Sequence, residues 1–206
     1  MSNNVIILAT YNGEKYLQDL LDSLMNQTCQ DFDIFVSDDG STDNTIEILK
    51  KSFFYKNERL TIISNNNVHG ACGNFINAII HVPDAKNYFF ADQDDYWHEN
   101  KISVMCNEIR KYSTELPVMI ISDLNLVNSE LEPFGSTYFQ NIGIDPQKQM
   151  TLQNILVQNL APGCAMCVNY KTIDLFKTNV SQEICYPIIM HDYFAIEIAA
   201  YLGEIH

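Results

Sequence analysis

Val5-Ile6-Ile7-Leu8-Ala9 runs without interruption into Thr10-Tyr11-Asn12. Five apolar residues in succession suit a strand buried on both faces, and the abrupt polar triplet marks where that strand leaves the core. Working outward, Tyr16, Leu17, Leu20, Leu21 and Leu24 repeat at helical spacing and predict a helix that ends before Thr28. Phe32, Ile34 and Val36 begin a second strand that stops at Asp38, and Ser41-Thr42-Asp43 offers N-cap chemistry to a helix through Ile46, Ile48 and Leu49. Leu60–Ser64 reads as a third strand, Asn65-Asn66-Asn67 as a loop and Asn74–Ile80 as a helix. A fourth strand, Tyr88-Phe89-Phe90-Ala91, runs straight into Asp92-Gln93-Asp94-Asp95. Strands alternating with helices at this interval predict βαβ units, hence an α/β fold with a mostly parallel central sheet and helices on both faces.

In such sheets ligands bind beyond the carboxyl ends of the strands. Three predicted strands end in polar clusters: Thr10-Tyr11-Asn12, Ser37-Asp38-Asp39-Gly40 and Asp92-Gln93-Asp94-Asp95. The sheet is expected to gather them at one rim. The second half is less regular. Ile102–Tyr112 reads as a helix, Val118–Ile121 as a strand ending at Ser122-Asp123, and residues 128–150 as a loop with turns at Glu132-Pro133 and Asp145-Pro146. A helix over Leu152–Val157, an apolar segment after Pro162-Gly163 and a last helix over Tyr193–Leu202, preceded by His191-Asp192, complete the chain. With 206 residues and neither repeat nor linker, a single domain spanning 1–206 is expected, residues 1–97 carrying the three clusters and 98–206 the remainder.

Twelve Lys and Arg against 26 Asp and Glu give a formal charge of −14. That balance argues against nucleic acid as a partner, which needs clustered cations, and against adsorption to anionic lipid. No apolar run reaches the roughly 20 residues of a membrane span, and the N-terminus lacks the basic start of a signal peptide. Six cysteines in a chain of this size read as reduced thiols, and the lone Cys164-Ala165-Met166-Cys167 spacing as packed thiols rather than a zinc site.

Asp92 and Asp94, two positions apart where the chain turns, can share one hard cation such as Mg2+ or Mn2+ and leave positions open for phosphate oxygens; the same residues also suit an acidic helix cap. A carboxylate at Asp38 or Asp39 can pair with the ring N–H of a pyrimidine base, or cap the helix that follows. Asp192 at a helix start is either a general base or a partner of the helix dipole. Tyr96-Trp97 offers a stacking wall for a sugar ring or material for the core.

Taken in order, Val5–Gly13, Val36–Asp43 and Ala91–Trp97 closely resemble the family 2 glycosyltransferases of the GT-A fold. The Asp-Gln-Asp-Asp-x-Trp variant resembles the rhamnosyltransferase-like branch that builds bacterial surface polysaccharides. Ser122-Asp123-Leu124, Pro162-Gly163-Cys164 and His191-Asp192-Tyr193 fall where that branch has comparable segments. The resemblance implies a Rossmann-like GT-A sheet, with Thr10, Tyr11 and Asn12 lining a nucleotide pocket, Asp39 and Asp38 on the base and Asp92 toward the ribose. It implies that Asp94, with Asp92, holds Mn2+ or Mg2+ under the diphosphate, and that Asp192 is the catalytic base of an inverting transfer. The donor would be a UDP- or dTDP-sugar, and the acceptor a glycan or lipid-linked saccharide bound over residues 128–165. A nucleotide-sugar-binding but catalytically incomplete module is the alternative; an aspartyl phosphatase fits poorly, because Asp95-Tyr96 stands where that chemistry wants Thr or Val. Members of the branch continue past Gly203-Glu204-Ile205-His206 into a further segment. A cytoplasmic location is therefore expected, with membrane contact at the inner face only indirect or through that segment.

Overall fold

In β1 (Asn4–Thr10) Val5 and Ile7 turn to one side of the sheet and Ile6 and Leu8 to the other, all of them buried. The computed structural model describes residues 2–66, 68–180 and 190–206; Asn67 and Cys185 lie outside them. The chain continues through α1 (Leu17–Met25), β2 (Phe32–Asp38), α2 (Thr45–Lys51), α3 (Phe53–Lys56), β3 (Leu60–Ser64), α4 (Ala71–His81) and β4 (Asn87–Asp92). Then follow α5 (Lys101–Ile109), β5 (Val118–Ile121), β6 (Asn125–Val127), β7 (Pro133–Thr137), α6 (Tyr138–Ile142), α7 (Pro146–Gln149) and α8 (Leu152–Ile155). A one-turn 3-10 helix (Gly163–Ala165) leads into β8 (Met166–Asn169), α9 (Tyr170–Asn179), α10 (His191–Leu202) and β9 (Glu204–Ile205).

The main sheet has the order β3-β2-β1-β4-β8-β5-β9 among the described residues. β1 to β4 are mutually parallel where they pair; β8 runs antiparallel to β4 and to β5, and β9 is parallel to β5. The mostly parallel α/β architecture is the expected one. Two apolar layers cover it. One face buries Phe35, Tyr88 and Phe90 under α4, α9 and α10; the other buries Ile34, Phe89 and Ala91 under α1, α3 and α5. Each such large side chain contributes about 1.5–3 kcal/mol relative to exposure. Trp97 belongs to the second layer, 2% exposed with its ring 5.9 Å from that of Phe89, so it is core and not a sugar-facing wall.

Residues 128–150 depart from the expected loop. They hold most of a β6–β7 hairpin, then α6, closed by a capping box of Thr137 and Gln140, and α7, capped by Asp145. α4 starts at Ala71 rather than Asn74, because Gly70 at φ 96° turns the chain into the helix earlier than its apolar period begins. No helix among the described residues is long and apolar enough to cross a membrane.

Register aligns the strand ends. Thr10 pairs with Asp38, Ala9 with Asp92, and Asp38 with Ser64. On the other side Ile121 pairs with Met166, so the turn entering β8 reaches the same rim as the ends of β1, β2, β4 and β5.

Candidate active site

The loops after β1 and β2 lock each other. Thr10 Oγ1 donates to Asp38 Oδ1 (2.9 Å), which also accepts from Ser41 Oγ (2.6 Å), while Asp38 Oδ2 accepts from the amides of Gly40 (3.1 Å) and Ser41 (2.9 Å). Asn12, in the left-handed region at φ 47°, donates its amide to Ser41 Oγ and accepts the Thr42 amide on Oδ1, both at 2.9 Å. Asn is one of the few residues besides Gly that adopt this conformation readily. Asp38 and Asn12 thus spend their hydrogen bonds on shaping the rim. Gln93 clamps the loop after β1 to the one after β4: its amide group accepts from Tyr11 N and donates to Tyr11 O, each at 3.0 Å. Gly13 must stay bare beside it, since a Cβ there would lie 2.3 Å from Gln93 Oε1.

Asp39 sits deeper. Its amide donates to Thr10 O (2.9 Å); Oδ1 accepts from Asn65 Nδ2 (2.7 Å) and lies 2.8 Å from His69 Nδ1; Oδ2 accepts from Gly70 N (2.7 Å). Asn74 spans β1 and β2, donating both amide hydrogens to Thr10 O and Ser37 O, and its buried Oδ1 has no partner among the described residues. A cavity of 290 Å3 opens here, lined by Thr10, Tyr11, Asp39, Asn74, Asp92 and Asp94 among others. The structure therefore brings Thr10, Tyr11, Asp39, Asp92 and Asp94 together, and leaves Asn12 and Asp38 behind the wall they brace.

Across the cavity floor the carboxylates crowd. Asp92 is pushed up to about 7, first by burial and then by the charges of Asp95, Asp94 and Asp192. Burial also raises Asp95, whose Oδ2 accepts from Asp92 N (3.2 Å) and which Lys101 holds back toward its charged form. Asp94 is exposed at the lip. One ligand atom each from Asp92, Asp95 and Cys164 lie within 4.8 Å of one another. Asp92 and Asp95 are hard oxygen donors whose ionisation burial opposes, a pair that fits a divalent cation; Cys164 is the third group within reach, and Asp94 stands outside this cluster. Asp95 was missed by spacing alone, although it adjoins the motif. Lys101 carried no local signal, and Cys164 was visible only in its CxxC spacing and beside Pro162-Gly163; neither pattern announces their meeting, for which β8 brings Cys164 back from more than sixty residues away.

Asp192, at the start of α10, is buried, yet its carboxylate is well supplied: Oδ1 accepts from Tyr193 N (2.7 Å) and Oδ2 from Gly163 N (3.0 Å), with a further side-chain bond to Asn159. Burial raises its pKa and these donors oppose the rise. Its charge acts on Asp92 and on Tyr138, which fixes it on the same rim beyond the cavity. The neighbouring His191 stacks on Phe75 (3.7 Å, 17°) with Phe90 at its edge, and neither ring nitrogen has a partner among the described residues. Burial lowers its pKa to about 3.

This arrangement has relatives. The chain is 28% identical over 201 residues to the dTDP-rhamnosyl transferase RfbG of Shigella flexneri, covering 93% of this chain and 64% of that protein. It is 36% identical over 110 residues to the UDP-Glc:alpha-D-GlcNAc-diphosphoundecaprenol beta-1,3-glucosyltransferase WfaP of Escherichia coli, covering 53% and 41%. The chain thus spans less than two thirds of the length of these relatives. In fold it is similar to S. aureus TarS in complex with UDP-GlcNAc (TM-score 0.66, 23% identity, 98% of this chain and 55% of that one). It is also similar to the mannosyltransferase PcManGT of Pyrobaculum calidifontis in complex with GDP-Man and Mn2+ (TM-score 0.64, 14% identity, 100% and 55%). The sequence model described as glycosyl transferase family 2 matches residues 5–170, from the first buried strand to the end of β8, and the chain belongs to that family.

Proposed function

We propose that this chain transfers a sugar, with inversion, from a UDP- or dTDP-sugar to a hydroxyl of a glycan or lipid-linked acceptor in cell-surface polysaccharide assembly. The observation that carries the reading is the convergence of Asp39, Asp92 and Asp94 on one cavity, with the charge of Asp192 felt at Asp92. The pyrimidine ring would enter beside Asp39, which keeps lone-pair capacity on Oδ2 after accepting from Gly70, and beside the unpartnered Oδ1 of Asn74. The exposed ring of Tyr11 stands at the mouth as a stacking surface, and Thr10 lines the wall. Asp92 faces the ribose side, and Asp92 and Asp94 are the residues that would hold Mn2+ or Mg2+. Such a cation, when bound, neutralises charge growing on the departing diphosphate.

Asp192 supplies the base. A carboxylate raised by burial yet fixed by two backbone N–H donors is aimed and more basic than a free one. It takes the proton of the acceptor hydroxyl as that oxygen forms a bond to the anomeric carbon. The bond from that carbon to the diphosphate oxygen breaks on the opposite face, and nucleoside diphosphate leaves with the electron pair. His191 is a poor substitute, with a pKa near 3 and both nitrogens enclosed. A second cavity of 710 Å3 on the β5–β9 side of the rim, lined by Asp123, Phe139, Gln140, Met150 and His206 among others, offers the acceptor mixed polar and apolar walls. The dTDP-rhamnosyl transferase RfbG and the UDP-Glc-dependent glucosyltransferase WfaP agree with a pyrimidine donor. Asp192→Asn tests the reading. Binding of UDP with Mn2+ by calorimetry should stay near that of the unmodified protein while sugar transfer falls by about 10²–10⁴-fold. Retained turnover in that variant would remove Asp192 from the role.

A further inference from the structure

Lys101 opens α5, nine residues after Asp92, and its ammonium does not reach into solvent. It donates to the backbone carbonyl of Cys164 at 2.5 Å and lies 4.0 Å above the centre of the buried Trp97 ring. Burial lowers its pKa, and Asp95 is first among the neighbouring charges that oppose this, with Asp92 also contributing. Lys101 is therefore a cation facing the carboxylate cluster from beneath, its stem packed on an aromatic floor.

The carbonyl it holds belongs to the turn Gly163–Ala165, and the far side of that turn touches Asp192. Gly163 N donates to Asp192 Oδ2 at 3.0 Å. A Cβ on Gly163 would lie 2.8 Å from His191 Nε2 and 3.4 Å from Asp192 Cβ, so the turn is pressed against the start of α10. Its other end is pinned where Ser122 N donates to Ala165 O at 3.0 Å, and the Cys164 thiol lies within 4.8 Å of the carboxylates of Asp92 and Asp95. A chain of contacts thus runs from Lys101 through the Cys164 carbonyl and its turn to Gly163 and Asp192, with the charges of Asp95 and Asp92 acting on Lys101 from nearby.

We propose that Lys101 is a positioning residue: by holding the 163–165 turn against the start of α5, it sets where the Asp192 carboxylate stands relative to the donor-side acids. A charge-assisted bond to a carbonyl is directional and stronger than a neutral one, and a base displaced by about 1 Å costs on the order of a hundredfold in rate. The inference rests on Asp192 being the base, but its first consequence is structural and does not depend on turnover.

Two variants test it. Lys101→Met keeps the stem over Trp97 and removes the ammonium; Lys101→Arg keeps the cation but replaces the single contact with a bulkier planar fork. In 1H–15N spectra of the full chain, the Gly163 amide should shift in both variants, in the direction seen for Asp192→Asn. An unshifted Gly163 amide in a folded variant overturns the proposal, whatever the activity. With UDP-glucose and dTDP-rhamnose as probes, kcat should fall by about a hundredfold, with UDP–Mn2+ affinity kept within about threefold. In the Asp192→Asn background Lys101→Met should cost nothing further, since both act through one group. Additive losses, or a loss of UDP affinity equal to the loss of turnover, would instead put Lys101 in contact with the donor. Should the Met variant fail to fold, the Arg variant carries the same readouts. Absence of UDP binding and of turnover in the unmodified protein would count against the functional reading, while the Gly163 amide still decides the positioning role.

Discussion

His191 stays neutral inside the fold because Phe75 and Phe90 leave no room for the water that a charged imidazole needs. Its folded pKa of about 3 lies below the unfolded value of about 6.5. Above pH 6.5 the ring is neutral in both states and adds no pH dependence. As pH falls from 6.5 toward 3, only the unfolded chain takes up the proton, so stability drops by about 1.4 kcal/mol per unit. Asp92 has the opposite sign: with a pKa raised to about 7, its stabilising contribution is present at low pH and is lost as pH rises through 7. The two partly cancel, so the clean measurement is a difference. Urea midpoints of the unmodified protein and His191→Phe at pH 7 and pH 5 should show the variant losing about 2 kcal/mol less over that span; equal losses would mean His191 is not buried neutral. Asp92 makes a separate prediction. Below pH 7 it carries a proton that a cation must displace, so UDP affinity in Mn2+ should weaken as pH falls from 8 to 6, by up to about tenfold per unit. Calorimetry at the two pH values checks it, and Asp92→Asn should be weaker and flat.

The turn Gly163–Ala165 is the element on which donor side and base side meet, and it tolerates no extra atom. In Gly163→Ala the new methyl lands 2.8 Å from a ring nitrogen that cannot retreat, because His191 is stacked on Phe75 at 3.7 Å. Urea denaturation should show a loss of about 1–3 kcal/mol, with transfer falling further than stability alone explains. The sequence offered Pro162-Gly163-Cys164 as one segment of the family resemblance, but no pattern there announced its contacts with Lys101 and Asp192. β1, β2 and β4 were legible because both faces of each are buried, so their apolar runs are continuous and end sharply at Thr10, Asp38 and Asp92. The acids at those ends were legible for the same reason. The β6–β7 hairpin was not: its strands are mostly exposed, Phe134 at 68%, so no buried face imposes an alternating pattern. α3, α6 and α7 are four or five residues long, too short to show a helical period, whereas the expected helix from Leu152 is present as α8, two residues shorter than expected. The meeting of Lys101 with Cys164 escaped notice because it depends on β8 entering the sheet antiparallel between β4 and β5.

At the scale of the whole molecule, a chain of net charge −14 concentrates Asp39, Asp92, Asp94, Asp95 and Asp192 along one rim of its sheet. A nucleoside diphosphate is itself an anion, so on this account it binds only as a partner of a divalent cation. Asp94 stands exposed at the lip, where a cation and a diphosphate can reach it together, and Asp94→Ala should abolish the metal-dependent part of UDP binding while leaving the melting temperature of the free protein unchanged. On this account the nucleotide base is read at Asp39 and Asn74, which line a cavity of 290 Å3. The most direct test is a thermal-shift comparison of UDP-, dTDP- and GDP-sugars, each with Mn2+ and with chelator. A ligand at a hundred times its Kd stabilises by about 2.7 kcal/mol, which for a domain of this size is a rise of about 5–10 °C. The account predicts that rise for a UDP- or dTDP-sugar with Mn2+, its loss in chelator, and little response to GDP-sugars. Equal stabilisation by GDP-sugars, or the same rise in chelator, would contradict it.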